Sequence, residues 1–89
     1  MIERILISGV GKMGSWMAQA LAADHKVAVI DKDPEKLERL NRVMKLNALD
    51  DVAIFSPQLF INAVGLKQTE EAFNEIIPYL PEPPTVQTA

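Results

Sequence analysis

Four residues have the types and spacing to hold a phosphate-rich ligand. Gly9, Gly11 and Gly14 punctuate the run Gly9, Val10, Gly11, Lys12, Met13, Gly14, a GxGxxG pattern, and the acidic Asp31 follows about twenty residues later. In such a run the first glycine permits a tight turn. The second has no side chain to keep a pyrophosphate from the backbone, and the third lets a helix pack closely on a sheet. The helix start adds unsatisfied amides and a partial positive charge. Asp31 would accept hydrogen bonds from the two adenosine ribose hydroxyls and would repel a 2′-phosphate, which favours NAD over NADP. Lys32 and Lys36 are nearby cations that soften this preference, so NADP stays possible. The plain alternative is a tight strand-to-helix turn with Asp31 capping a loop.

These residues need a particular frame, and the hydrophobic pattern supplies it. Ile2 to Ser8 reads as a buried parallel strand closed by Gly9. From Lys12 the period becomes helical, with Met13, Trp16, Met17, Ala20 and Leu21 on one stripe, and this predicts a helix to about Ala23 with Trp16 and Met13 in its packed face. Val27 to Ile30 forms a second strand. Asp33 followed by Pro34 starts a short helix to about Leu40. Arg42 to Leu46 supplies a third strand, Ala48 to Phe55 a brief helix, and Leu59 to Val64 a fourth strand after Pro57. A helix from about Thr69 to Ile77, with Glu70 and Glu71 supporting its start, precedes a prolyl connection and a fifth strand at Thr85 to Thr88. The alternation predicts an α/β, Rossmann-like, doubly wound parallel sheet of about five strands in the order 3-2-1-4-5.

In that frame Val64 and Gly65 fall just past the fourth strand, where the carboxyl end of a sheet meets a cofactor's ribose or nicotinamide side. A plain loop is the equal alternative. Asn62 and Lys67 are candidates to orient polar groups there. The cofactor-binding candidates are therefore Gly9, Val10, Gly11, Lys12, Met13, Gly14, Asp31, Lys32, Val64 and Gly65. No catalytic or metal-binding residue is assigned. His25, the single histidine, belongs to the turn at the opposite end of the sheet.

Composition narrows the class. In 89 residues there is room for one domain, and 48% hydrophobic with 24% charged residues excludes collagen-like and wholly disordered chains. Nine basic against twelve acidic residues give a net charge of −3, which offers no footprint for nucleic acid or an anionic membrane. Zero cysteines exclude disulfide frameworks and thiol catalysis. The first apolar run is interrupted by Glu3 and Arg4, unlike a leader, and a cytoplasmic location is expected.

The runs ILISGVGKMGSWMAQAL, VAVIDKDPEKL and LFINAVGLKQTEEAFNEIIPYL resemble the amino-terminal NAD(P)-binding domain of prephenate dehydrogenase, an enzyme of tyrosine biosynthesis. The GxGKMG element alone is shared with many dehydrogenases. The resemblance implies NAD-dependent oxidative decarboxylation of prephenate, a homodimeric parent enzyme, and catalytic and substrate-binding residues in a part that follows residues 1–89. The chain is then expected to be the cofactor half of something longer, unable to act on a small-molecule substrate alone. Two alternatives remain: the cofactor domain of another hydroxy-acid or imine dehydrogenase, and a non-catalytic NAD-sensing regulatory domain.

Overall fold

Three consecutive apolar residues, Ile5, Leu6 and Ile7, can all be buried only if their strand is covered on both faces. The computed structural model, which describes residues 2–64, 66–80 and 85–88, meets that requirement. Strand β1 (Arg4–Ser8) lies at the centre of a five-stranded sheet ordered β3-β2-β1-β4-β5. Its partners are β2 (Lys26–Ile30) and β4 (Leu59–Asn62). Beyond them stand β3 (Met44–Leu46) and β5 (Thr85–Thr88), and every pairing is parallel. This is the doubly wound α/β sheet expected.

Alternate residues of the strands feed two cores. Ile5, Ile7, Val27, Val29 and Ile61 pack with Ala18 of α1 (Lys12–Leu21) and Leu37 of α2 (Pro34–Glu38). Leu6, Ala28 and Phe60 pack on the other face with Val52 and Phe55 of α3 (Asp50–Phe55) and Ile76 of α4 (Leu66–Ile76). Each large apolar side chain buried in this way contributes roughly 1.5–3 kcal/mol. A short 3-10 turn, Ile77–Tyr79, follows α4.

Several boundaries differ from those the pattern predicts. Ile2 is exposed and precedes β1. Arg42 lies outside β3 because its φ of 65° is left-handed, which ends extended pairing. The α4 helix begins at Leu66, so Glu70 and Glu71 sit in its second turn rather than at its start. Asp33 does cap α2, its carboxylate accepting from the Glu35 amide at 3.1 Å.

The largest departure from the hydrophobic pattern is in α1. Trp16 is 68% exposed and Met13 59%, whereas Gly14 and Ala18 are buried and Met17, Leu21 and Ala22 partly buried. The packed stripe is thus turned by about one residue, or roughly 100°, from the one marked by the large side chains. Small residues face the sheet because the helix approaches it so closely. A Cβ on Gly14 would run into the Gly9 carbonyl oxygen.

Candidate functional site

The connection leaving β1 turns one way to β2, while the chain later crosses to β4 on the other side of β1. Ligands of open α/β sheets bind in the crevice this reversal leaves at the carboxyl ends of the strands. At that end Gly9 has a φ of +92°, a conformation that suits a residue without Cβ, and a side chain there would come 2.8 Å from Val64 Cγ1. The Gly9 amide donates to the Ile30 carbonyl at 2.9 Å and the Ala63 amide to the Ser8 carbonyl at 2.8 Å, tying the loop to both neighbouring strands. Gly11 caps α1 without a side-chain hydrogen bond, and no acidic residue occupies the helix's first turn. A Cβ at Gly11 would have nothing within 4 Å. The backbone there is open to a ligand that a side chain would obstruct, and the helix start favours an anion.

Asp31 ends β2 beside this loop. Its Oδ2 accepts from the Val10 amide at 2.9 Å and its Oδ1 from the Asp33 amide at 2.8 Å. Two amides fix the carboxylate's orientation and leave acceptor capacity on both oxygens, since a carboxylate offers about four lone-pair sites. Ser15 Oγ donates to the Val10 carbonyl at 2.9 Å and steadies the same loop from α1. Asn62 is fully buried at the end of β4, and its Oδ1 lies 3.5 Å from the Val64 amide.

A cavity of about 610 Å³ opens over these groups, within the usual range for a small-molecule site. Of the sequence candidates, Gly9, Gly11, Asp31, Lys32 and Val64 line it. Val10 is buried behind the loop with its amide on Asp31, and Gly14 is buried against Gly9. Lys12 and Met13 are exposed on α1 and are not in the cavity wall. Gly65 lies outside the described residues.

The wall also contains groups that residue type alone did not mark: Leu46 at the end of β3, Asn47 and Leu49 just after it, and Ala72 and Glu75 on α4. The rule that ligands meet the carboxyl ends of strands would have pointed to the first three. Glu71 and Glu75 hold Lys32, whose Nζ lies 3.0 Å from Glu71 Oε1 and 3.7 Å from Glu75 Oε1. The hydrogen bond to Glu71, and then the charges of Glu71 and Glu75, keep the Lys32 ammonium above its ordinary pKa. His25 is at the other end of the sheet, its Nδ1 2.9 Å from the Ile2 carbonyl oxygen. Among the described residues no helix is long and apolar enough to cross a membrane.

Known proteins share this architecture. The prephenate dehydrogenase of A. aeolicus, solved with hydroxyphenyl propionate and NAD+, superposes on 99% of the chain with a TM-score of 0.88 at 24% identity. The 3-hydroxybutyryl-CoA dehydrogenase of Escherichia coli does so on 99% with a TM-score of 0.85 at 18% identity. At these identities the likeness is one of fold. The chain spans 33% and 24% of those two proteins. A Trk system potassium uptake protein TrkA homolog from Archaeoglobus fulgidus is 36% identical over 69 residues, 78% of this chain and 13% of that protein. The glycine loop, the open backbone at Gly11 and the fixed Asp31 carboxylate all lie within an NAD(P)-binding Rossmann domain. The TrkA-N domain model matches residues 5–54, the stretch carrying all three, and on a match covering more than half its length the chain belongs to the TrkA-N domain family.

Proposed function

We propose that the chain is the nucleotide-binding unit of a larger protein, that it takes NAD in preference to NADP, and that it senses the nucleotide without transforming it. The carrying observation is the Asp31 carboxylate, oriented by the Val10 and Asp33 amides at the wall of the cavity. It would accept from the adenosine ribose hydroxyls, while the amides at the start of α1 and the bare backbone at Gly11 would take the pyrophosphate. When bound, a nicotinamide could supply hydride chemistry; among the described residues the cavity wall carries no histidine. The sensing role is supported by membership of the TrkA-N family and by the relative named as a potassium uptake protein.

The second reading is the cofactor half of a dehydrogenase acting on prephenate. It is favoured by the superposition of nearly the whole chain, including residues past the family match, and by the segment from Leu59 to Leu80. Calorimetric titration of the chain with NAD and NADP tests the shared part. NAD should bind more tightly, and Asp31→Ala should weaken it roughly tenfold by removing a charged acceptor. Equal or tighter NADP binding overturns the cofactor assignment. The full-length parent protein, given NAD and prephenate, decides between the roles: no NADH formation is expected for a sensor, and prephenate-dependent NADH assigns the dehydrogenase role.

A further inference from the structure

Lys32 follows Asp31 directly and, like Lys36, lines the same cavity, so it is a cation placed to meet a phosphate on the adenosine 2′ oxygen. In the folded chain its ammonium is turned to α4 instead, at 3.0 Å from Glu71 and 3.7 Å from Glu75. Glu75 also belongs to the cavity wall, which puts this ion pair at the rim of the site. We infer that Glu71 and Glu75 are specificity-determining residues, discriminating against a 2′-phosphorylated dinucleotide by holding Lys32 away from it.

The inference rests on the NAD-binding reading and assigns part of the cofactor preference to α4. Asp31, Asp33, Glu71 and Glu75 carry four formal negative charges against the two positive charges of Lys32 and Lys36, and among the described residues only Lys32 is ion-paired to α4. A 2′-phosphate, carrying nearly two negative charges, would enter a net negative rim. To recruit Lys32 it would have to displace two carboxylates and leave them unpaired. A 2′-hydroxyl meets neither penalty. Lys32 and Glu71 are both well exposed, with side chains 66% and 60% accessible, so screening keeps the effect modest and salt-dependent.

The test is the Glu71→Gln/Glu75→Gln chain, titrated with NAD and with NADP at low ionic strength. Its affinity for NADP relative to NAD should rise roughly fivefold, and the gain should shrink as salt is added. Adding Lys32→Met should abolish it, because the freed ammonium is its source. An unchanged ratio in a chain that still binds NAD overturns the inference and leaves the NAD-binding reading standing. A gain that survives Lys32→Met also overturns it, by assigning the effect to general charge removal. Failure of the unaltered chain to bind either dinucleotide overturns both readings together.

Discussion

The two ends of the sheet use the same kinds of groups in opposite ways. At the amino end, polar side chains are spent on the protein's own backbone. Gln58 Oε1 accepts from the Glu3 and Arg4 amides at 2.6 and 3.1 Å, and Arg4 Nε donates to the Ser56 carbonyl at 2.8 Å. The Lys26 amide reaches the Glu3 carbonyl at 2.7 Å and the Gln58 amide the Arg4 carbonyl at 2.9 Å, closing that end strand by strand. At the carboxyl end the backbone is also bonded to its neighbours, yet the start of α1 has no side-chain cap and Asp31 keeps spare lone pairs beside a cavity. The difference teaches where binding is possible: a polar group already saturated by the protein can offer a ligand little.

Substitutions can break or sharpen this contrast. The largest effect is expected at Gly14, where a methyl group collides with the Gly9 carbonyl oxygen and must lift α1 from the sheet. Gly14→Ala should cost about 3 kcal/mol and lower the melting temperature by more than about 10 °C, as followed by circular dichroism. A melting curve like the parent's would mean that the helix does not depend on that close approach. Next comes Gly11→Val, three residues earlier. Its Cβ meets no protein atom within 4 Å, so stability should change by less than about 1 kcal/mol. NAD affinity should nevertheless fall about 100-fold in calorimetry, because the branched side chain fills the approach to the backbone. Retained affinity in the folded variant would move the ligand elsewhere. The smallest effect belongs to the amino end. Gln58→Ala leaves the Glu3 and Arg4 amides without that acceptor and should cost about 1 kcal/mol in denaturant unfolding, with NAD titration unaltered. A change in NAD affinity there would show that the two ends are coupled.

Much of this contrast was legible in the sequence because its causes are local. The change from strand to helical period around Gly9, the spacing to Asp31 and the Asp33 cap with Pro34 are set by residues within one βαβ unit, and the strand order follows from their alternation. The orientation of α1 was not legible from side-chain size. Periodicity weighs Trp16 and Met13 above Gly14 and Ala18, yet close contact with the sheet selects the smaller pair. The partners of Lys32 were hidden for another reason. Glu71 and Glu75 lie about forty residues away, and only the placement of α4 on the second face of the sheet brings them to the cavity rim. The spacing points to Asp31 as a ribose acceptor, but its hold on the Val10 amide depends on how the glycine loop folds back over β2.

The central position of β1 also bears on how the chain reaches its shape. Strand β1 is paired on one side with β2, where Ile5 meets Val27, and on the other with β4, where Ile5 meets Leu59. The first closure spans one local unit, while the second must wait for the whole stretch from β1 to β4 and bear the larger entropy of the longer loop. In that interval one edge of the run Ile5, Leu6, Ile7 has unpaired backbone groups and an apolar surface, the template on which chains aggregate. A piece cut to residues 5–54 would keep the glycine loop and Asp31 but hold that edge open permanently. The residues for nucleotide recognition precede β4 in the chain, and protection from self-association arrives only with β4.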